Sequence, residues 1–305
     1  MNQKVWITGS RGFLGSYLIK MLKDLGFECL CISNQIPFSN IVQYVDFSDR
    51  TKIRDAIKQF GIPNTFIHLG WGNVYSPHHE DHITTNLFDG INLIDELFDF
   101  GLERFIFIGS SSEYGSLVGK LSEDVDLGTT TENNYIKGKT SLCKYGLSKV
   151  RDTGSSFLHI RLFYTFGAGQ RSTSLLNQLF TAFIEGQSIN LSPCSHFRDY
   201  IHVSDAALGI CKLCSVKHVG ILNLGSGEAI KLSDFVRMFW DALGGDPADL
   251  LFGKHSLPVT EQSQPQSFAD LSKLLALTNW QPSLTTLEGI RLTISEMNNN
   301  LSLNN

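Results

Sequence analysis

Three evenly spaced glycines follow a short apolar run near the beginning of the chain, and they constrain the fold more than any other feature. Residues 5–7, Val-Trp-Ile, favour a strand, and an amphipathic segment over residues 17–25 follows Gly9, Gly12 and Gly15. Glycine permits a tight turn and lets backbone N–H groups approach a ligand closely. The start of a helix adds free N–H donors that suit phosphate. The segment therefore predicts a strand–turn–helix unit that binds the pyrophosphate of a dinucleotide, with a glycine turn without ligand as the alternative.

Short β-like runs alternate with amphipathic stretches through the first half of the chain. The strand-like segments are residues 5–8, 29–33, 41–45, 65–69, 104–109 and 158–162, and the helix-like segments are residues 14–25, 51–60, 84–100 and 135–150. This alternation predicts an α/β fold, a doubly wound parallel sheet of the Rossmann type with helices on both faces. Ligands bind such sheets beyond the carboxyl ends of the strands, so we expect the site at that edge.

The alternation is looser in the second half of the chain. We expect residues 1–163, together with about 200–226, to form the Rossmann-type domain. Residues 164–199 and 227–297 are expected to form a smaller, mixed α/β substrate lobe that packs on it and makes a cleft. The remaining residues, 298–305, are predicted to be a tail, and the asparagine-rich stretch from Met297 onward is predicted to be frayed.

The composition excludes several classes of function. The chain has 305 residues, of which 42% are hydrophobic and 18% charged, as in ordinary globular proteins. A formal net charge of −5 provides no positive surface for nucleic acid or anionic membranes. No apolar run is long enough to span a bilayer, and the beginning of the chain does not resemble a signal peptide. The six cysteines show no disulfide-framework spacing, so a cytoplasmic protein is expected.

Two clusters are compatible with metal binding but have simpler interpretations. Cys211 and Cys214 form a C-x-x-C in an apolar segment without a second pair of ligands, so we interpret them as helix packing. The segment His78-His79-Glu80-Asp81-His82 lies between a glycine-containing loop and a helical pattern, which favours a solvated helix start. No metal site is predicted.

Tyr135 and Lys139 are four residues apart in a helix-like segment, so both side chains leave the same face. A lysine ammonium beside a phenol is expected to lower the tyrosine pKa toward neutral pH. Such a tyrosine exchanges a proton with a substrate oxygen while a nicotinamide exchanges hydride with the carbon. Ser110 and Ser111 follow the strand-like residues 104–109, and a serine hydroxyl there can bind the same oxygen.

A second pair, Tyr145 and Lys149, has the same spacing ten residues later. The position in the chain favours the first pair. Tyr135 leaves room for a helix of about four turns before the strand that ends at Leu162, whereas Gly154 interrupts the shorter stretch that follows Tyr145. We therefore expect Tyr135 and Lys139 to be the functional pair.

The ordered motifs resemble those of extended short-chain dehydrogenases/reductases of the NAD-dependent epimerase/dehydratase family, which act on nucleotide sugars. The resemblance covers residues 4 to about 295. The segments that carry it are TGSRGFLG (8–15), Asp46, HLG (68–70), Asn86, GSSSEYG (109–115), YIKGK (135–139), RLFYTFG (161–167), FRDYIHVSD (197–205), LNLGSGEAIKLSD (222–234) and ADLSKLLALTNWQPSLTTLEGI (269–290).

The resemblance implies a set of binding residues, a nucleotide-sugar substrate and a homodimer. The implied cofactor-binding residues are Gly9, Ser10, Arg11, Gly12, Phe13, Leu14, Gly15, Ser33, Asn34, Asp46, Phe47, Leu69, Gly70, Trp71, Asn86 and Lys139. The implied substrate-binding residues are Glu113, Tyr114, Tyr164, Arg171 and Arg198. For Asp46 the alternative is a turn cap, and for Arg198 it is a salt bridge with Asp199.

The residues that follow the second strand depart from the pattern of NAD-preferring family members. Those members usually carry an Asp there, which accepts a hydrogen bond from the adenosine 2′-hydroxyl. This chain has Ser33, Asn34 and Gln35, with no carboxylate to repel a 2′-phosphate, and Arg11 adds a positive charge nearby. We therefore predict that NADP(H) is preferred and that NAD(H) is possible.

Two further departures narrow the expected reaction. Dehydratases of the family carry Thr-Asp-Glu after the fifth strand, whereas this chain has Ser-Ser-Ser-Glu, which argues against 4,6-dehydration. Tyr164 replaces a common Asn. The combination resembles 4-keto-6-deoxysugar reductases, with a 4-epimerase that keeps its NAD, or a non-catalytic nucleotide sensor, as alternatives. Counting back from Tyr114 leaves both Ser110 and Ser111 possible as the catalytic serine, and we favour Ser111.

Overall fold

The computed structural model describes residues 3–35, 42–125, 127, 133–151, 154–256 and 266–304. In chain order, the strands in these ranges are β1 (Lys4–Thr8), β2 (Glu28–Ser33), β3 (Val42–Tyr44), β4 (Thr65–His68), β5 (Arg104–Ile108), β6 (Gly119–Leu121), β7 (Ser156–Leu162), β8 (Tyr164–Phe166), β9 (Ile189–Asn190), β10 (Phe197–Arg198), β11 (Tyr200–His202), β12 (Gly220–Leu224), β13 (Ile230–Lys231), β14 (Leu250–Leu251) and β15 (Ser267–Ala269). The helices are α1 (Phe13–Asp24), α2 (Arg50–Phe60), α3 (Asp81–Thr84), α4 (Asn86–Asp99), α5 (Asn134–Lys149), α6 (Leu175–Ile184), α7 (Val203–Leu213), α8 (Leu232–Leu243), α9 (Ser272–Thr278) and α10 (Thr286–Asn304).

Seven of the strands form one parallel sheet in the order β12-β7-β5-β4-β1-β2-β3. The chain winds outward from β1 in one direction through β2 and β3, and then in the other direction from β4 onward. The carboxyl ends of β1 and β4 therefore flank the point where the winding reverses, which is where ligands bind in such sheets. The predicted fold class is confirmed.

The alternation of side chains along the strands divides the core between the two faces of the sheet. Val5 and Ile7 pack with α1 and α7 on one face, while Trp6 lies among the residues of the other face. That second face is largely aromatic, with Phe66 and Phe105 at a ring-centroid distance of 5.0 Å. Both faces are covered, which explains why the central strands are continuous apolar runs.

A third apolar cluster lies outside the sheet and combines α6, α8 and the end of the chain. The prediction of a frayed tail from Met297 is wrong, because α10 continues to Asn304. Ile294 and Met297 are buried in the third cluster, and packing of this helix face outweighs the weak helix propensity of the asparagines. Over the described ranges, no helix has the length and apolar character needed to cross a membrane.

Candidate active site

The glycine turn between β1 and α1 lets neighbouring backbone and a ligand lie close to its own backbone. Gly9 has φ = +72°, and a Cβ there would lie 2.7 Å from the backbone nitrogen of Gly70. A Cβ on Gly15 would overlap the carbonyl oxygen of Gly9. Gly12 precedes the first residue of α1 and supplies no capping side chain, so the N–H groups of the helix start stay open to a ligand. These features fit a pyrophosphate group.

A cavity of about 660 Å³ opens beside this turn, across the carboxyl ends of β1, β2 and β4. Its size suits a dinucleotide. The predicted cofactor residues that line it are Gly9, Ser10, Arg11, Gly12, Ser33, Asn34, Phe47, Gly70, Trp71 and Asn86. Thr8, Gln35, His68, Gly72, Asn73, Asp81, Thr85 and Asp89 complete the wall.

The other predicted cofactor residues lie outside this cavity wall. Leu14 belongs to the apolar core, and Leu69 packs against it. Phe13 lines a different cavity, described below. The Asp46 carboxylate caps its own turn by accepting from the backbone nitrogen of Ser48 at 3.0 Å and from its hydroxyl at 2.7 Å, as the alternative interpretation expected, and its contact with a cofactor stays a prediction.

Asp89 is a cavity residue that the sequence patterns did not indicate. It lies on α4, and its carboxylate accepts a hydrogen bond from the Asn34 side chain at 2.8 Å. Burial raises the pKa of this carboxyl group. The sequence shows no acid after β2, but the fold brings a carboxylate to that place from another element.

His82 supports the cavity wall from behind, although the sequence predicted a solvated helix start. The Trp71 indole donates a hydrogen bond to Nδ1 of His82 at 3.0 Å, and Nε2 of His82 donates to the Ser76 carbonyl at 3.0 Å. The two rings are stacked with an interplanar angle of 13°. His82 is fully buried, so the prediction is wrong for this residue. The side chain of Asn86 exchanges two hydrogen bonds with the backbone of Gly72 beside it.

Lys139 belongs to α5 and is buried below the cavity, next to the last residue of β5. Its Nζ donates a hydrogen bond to the Ile108 carbonyl at 2.6 Å and lies 4.4 Å from the centre of the Trp71 ring. Desolvation lowers the pKa of the ammonium group to about 7, although the carboxylate of Glu113 opposes that shift. The lysine charge therefore depends on a few neighbours rather than on water.

Tyr135 lies on α5, one helical turn before Lys139. The helix begins just before Tyr135, where the Asn133 side chain caps it by accepting from the backbone nitrogen of Ile136 at 3.0 Å. The Tyr135 ring is 5.3 Å from the His82 ring, and Nζ of Lys139 is 5.7 Å from its centre. Burial raises the pKa of the phenol to about 12, and hydrogen bonding with the Ser110 side chain partly offsets the shift. The expected lowering of the Tyr135 pKa is therefore wrong, because desolvation is the largest effect on this group.

The structure separates the two candidate serines. The Ser110 side chain lowers the pKa of the Tyr135 phenol by hydrogen bonding, against the larger effect of burial. Ser111 instead lines a separate cavity of about 110 Å³. The geometry therefore favours Ser110 over Ser111 as the partner of Tyr135.

The second Y-x-x-x-K pair binds a neighbouring helix. The Tyr145 hydroxyl donates to Asp95 at 2.6 Å, and Lys149 forms ion pairs with Asp95 at 3.0 Å and Asp99 at 3.1 Å. Both aspartates belong to α4. This pair ties α5 to α4, and neither residue lines the 660 Å³ cavity.

Glu113 does not face a substrate cavity, so its prediction as a substrate-binding residue is wrong. Only 1% of its surface is exposed. The carboxylate accepts from the backbone nitrogen of Ser110 at 2.8 Å, from Nε2 of His159 at 2.8 Å and from Nε of Arg161 at 3.3 Å. The pKa of Glu113 is lowered by these partners despite desolvation, and the carboxylate raises the pKa of His159 to about 9.

The remaining predicted substrate residues line two smaller cavities. Tyr114, Tyr164 and Arg198 line the cavity of about 110 Å³. Tyr164 also lines a cavity of about 280 Å³ together with Arg171, whose guanidinium group lies 3.5 Å from the centre of the Tyr75 ring. Tyr164 is therefore shared by the two smaller cavities.

The alternative interpretation of Arg198 was a salt bridge with Asp199, but the Asp199 carboxylate has other partners. Its buried carboxylate accepts from the backbone nitrogens of Ser226, Gly227 and Ala269. Among the residues for which the structure gives positions, no group of three or more His, Cys, Asp or Glu side chains is arranged to hold a metal ion.

The parallel sheet, the glycine turn and the tyrosine–lysine pair define a dinucleotide-binding α/β protein of the Rossmann type. The chain belongs to the NAD dependent epimerase/dehydratase family, whose model matches residues 5–225. The predicted resemblance is confirmed.

Individual relatives are distant. An uncharacterized UDP-glucose epimerase, YtcB, of Bacillus subtilis is 23% identical over 94% of this chain and 95% of that protein. The dTDP-glucose 4,6-dehydratase of Bacillus anthracis in complex with NAD has a TM-score of 0.83 at 16% identity, covering 98% of each chain. RMD from Pseudomonas aeruginosa complexed with NADPH has a TM-score of 0.81 at 19% identity, covering 98% of this chain and 100% of that chain. Both structures share the fold.

Proposed function

We propose that this protein is an NAD(P)-dependent oxidoreductase that reduces the keto group of a nucleotide-linked 4-keto-6-deoxyhexose. The observation that carries the proposal is the meeting of Tyr135, Lys139 and Ser110 at the carboxyl edge of the sheet, beside the 660 Å³ cavity. Membership of the family supports a nucleotide sugar as substrate, as do the sugar nucleotides in the names of its relatives.

In the proposed reaction, the side chains of Tyr135 and Ser110 supply the proton and bind the carbonyl oxygen of the keto sugar. When bound, the nicotinamide supplies a hydride to the carbonyl carbon. The Ser110 hydroxyl donates a hydrogen bond to the carbonyl oxygen, and the Tyr135 phenol transfers its proton to that oxygen. The Tyr135 phenol is protonated at neutral pH, as a general acid requires, although burial raises its pKa further from that range. The Lys139 ammonium then stabilises the phenolate that remains.

The environment of Glu113 supports reduction over 4,6-dehydration. A dehydratase needs an acid and a base that both reach the sugar. Here the Asp of the family's Thr-Asp-Glu run is replaced by serine, and Glu113 is held in a buried ion pair with His159 at 2.8 Å. A carboxylate in that position has no access to a carbon-bound proton of the substrate.

A 4-epimerase is the second candidate, because several relatives carry that name, among them UDP-glucuronate 4-epimerase from Thermodesulfobacterium geofontis. It would use the same tyrosine, lysine and serine. The difference is in the stoichiometry, since an epimerase consumes no net cofactor.

NADP(H) is the proposed preference for the cofactor. Arg11 lines the cavity near Ser33 and Asn34 and is exposed, which suits a guanidinium that binds a 2′-phosphate. Asp89 opposes this preference, although its carboxylate accepts a hydrogen bond from Asn34. Titration of Arg11→Ala tests the balance. We expect about tenfold weaker NADPH binding, with NADH binding unchanged. Unaltered NADPH affinity would contradict the role of Arg11.

The test of the proposed reaction is the absorbance of NADPH during incubation with freshly generated nucleotide-linked 4-keto-6-deoxysugars that carry dTDP, GDP, CDP or UDP. Stoichiometric loss of NADPH with one of them would establish a reductase and identify its nucleotide. Interconversion of 4-epimers without added cofactor would establish the epimerase instead. Dinucleotide binding without either reaction would favour the nucleotide sensor.

A further inference from the structure

We infer that Glu113, His159 and Arg161 form a buried network that positions Ser110 for catalysis. This inference rests on the proposed function, since it concerns the serine of the same site. The residues of the network touch neither of the two cavities described for substrate, and all three have at most 3% of their surface exposed. The network is therefore internal, and it acts through Ser110.

Glu113 is linked to Ser110 at the turn that follows β5, where its carboxylate accepts from the Ser110 backbone nitrogen and its own backbone nitrogen donates to the Ser110 carbonyl oxygen at 3.1 Å. Ser110 is the cap of a single 3-10 turn over Ser111–Tyr114. Its backbone nitrogen donates to Oε1 of Glu113 at 2.8 Å, and its hydroxyl oxygen accepts from the backbone nitrogen of Ser112 at 3.1 Å. Because the hydroxyl acts as acceptor in the turn, its hydrogen remains available to a phenol or carbonyl oxygen.

The neighbouring strand holds the carboxylate of Glu113. His159 and Arg161 are two residues apart on β7, so both side chains leave the same face of the sheet. Nε2 of His159 lies 3.0 and 2.8 Å from the two carboxylate oxygens, and Nε of Arg161 lies 3.3 Å from one of them. A carboxylate with this many donors has one orientation, which determines where the backbone of Ser110 lies.

Gly109 makes this arrangement possible. A Cβ at that position would overlap both the Glu113 carboxylate and the His159 ring. The same stretch of chain also holds Lys139, whose Nζ binds the carbonyl of Ile108 at 2.6 Å. The lysine and the serine are therefore attached to a backbone segment of three residues that is held in place by one buried carboxylate.

The variant Glu113→Gln tests the inference, because the amide keeps the size and an acceptor oxygen but removes the charge that His159 and Arg161 hold. We expect kcat to fall about 100-fold, the cost of a small misplacement of a reacting group. Substrate KM and dinucleotide affinity should stay within about twofold of wild type. Glu123→Gln is the matched control, since Glu123 is also buried but accepts from the backbone nitrogen of Asn223 at 2.8 Å. It should retain the wild-type kcat.

A double-mutant cycle with Ser110→Ala separates positioning from a general structural role. If Glu113 acts through Ser110, the effect of Glu113→Gln should disappear in the Ser110→Ala background. An equal loss in both backgrounds, or a wild-type kcat in folded Glu113→Gln, would overturn the inference. If Glu113→Gln does not fold, His159→Gln takes its place in the cycle, with a smaller loss expected and the same contradicting outcomes.

The proposed function and the inference fail in different ways. Turnover that survives Tyr135→Phe would contradict the proposed site. Loss of turnover in Tyr135→Phe together with full activity in Glu113→Gln would contradict only the network. If none of the sugars reacts, hydrogen exchange at the Ser110 amide still tests the positioning role. We expect at least about tenfold faster exchange in His159→Gln, and an unchanged rate would overturn it.

Discussion

The helix α5 carries the same motif twice, and the two copies have different environments. Tyr135 and Lys139 lie at the carboxyl edge of the sheet, where Lys139 is buried and its Nζ binds the Ile108 carbonyl. Tyr145 and Lys149 lie more than two turns later and bind Asp95 of α4. The ten residues between the copies rotate the helix by about 1000°, which leaves the second pair about 80° away from the face of the first. The identical spacing therefore indicates that the two residues of each pair share a helix face. It does not indicate which part of the protein that face contacts.

The comparison also separates two uses of charge. Lys139 is almost completely removed from water, and burial lowers its pKa. Lys149 is partly exposed, and its two aspartates raise its pKa. A lysine whose charge responds to its surroundings suits a reaction, whereas a permanently charged lysine suits an ion pair between helices.

The largest effect is expected from Tyr135→Phe. Loss of the phenol proton should reduce kcat about 1000-fold or more, since general acid catalysis contributes on that scale. Dinucleotide affinity should be unchanged, because Tyr135 does not line the 660 Å³ cavity. Steady-state kinetics and a fluorescence titration measure the two quantities. A comparable loss in Tyr145→Phe, with Tyr135→Phe active, would reverse the assignment of the two pairs.

Replacement of the lysines should separate activity from stability. Lys139→Met is expected to reduce kcat about 100-fold while thermal stability is kept or rises, because a poorly solvated charge is removed. Lys149→Met is expected to keep kcat and to lose up to about 1 kcal/mol of unfolding free energy. Urea unfolding and kinetics on both variants check this. A stability loss in Lys139→Met with unchanged kcat would contradict the distinction.

The ion pair of His159 with Glu113, close to the first tyrosine–lysine pair, should make the free energy of unfolding depend on pH. Glu113 raises the pKa of His159 to about 9 in the folded protein, above its ordinary value of 6.5. The stabilisation is therefore present in full below about pH 6.5 and is lost as the pH rises through about 9. The advantage of wild type over His159→Gln should shrink across this window by about 1 to 3 kcal/mol.

Two controls belong to that measurement. Lys139 acts with the opposite sign, because its pKa is lowered in the fold to about 7, so only the difference between wild type and His159→Gln is informative. Lys149→Met should show the same pH profile as wild type in this window. A difference between wild type and His159→Gln that stays constant from pH 6 to pH 9 would mean that His159 is not protonated in the folded protein.

The smallest effect is expected from Tyr145→Phe. The variant loses the hydrogen bond of 2.6 Å to Asp95, which we expect to cost about 1 kcal/mol of unfolding free energy. Because Asp95 keeps Lys149 as a partner, the carboxylate is not left unpaired. Kinetic constants should equal those of wild type. Any change in kcat greater than about threefold would link the second pair to the site.

Much of the site could be predicted from the sequence because it depends on local chemistry. The glycine turn needs residues without a side chain, and the spacing of Tyr135 and Lys139 follows from the helix repeat. Three of the residues that escaped prediction show why. His82 stacks on Trp71, Asp89 reaches Asn34 from another helix, and His159 holds Glu113 from the neighbouring strand. No motif marks them, although His82 stands in a cluster of histidines.

The errors have the same origin. Glu113 belongs to a motif that resembles substrate-binding segments, yet its carboxylate points inward to His159 and Arg161. Asp46 also caps its own turn through Ser48, a role that the sequence left open beside cofactor contact. In each case the residue type and position were correct, and the direction of the side chain depended on neighbours that are distant in the chain.

The sequence by itself determined the alternation of strands and helices in the first half of the chain, the glycine turn and the family, because period, backbone freedom and ordered motifs are properties of neighbouring residues. Only the tertiary structure showed that Tyr145 binds Asp95 of α4, placed Ser111 in a separate small cavity, and continued α10 to Asn304. Burial and pairing between distant segments make those choices. They change the energy of a charged or polar group more than any local preference does.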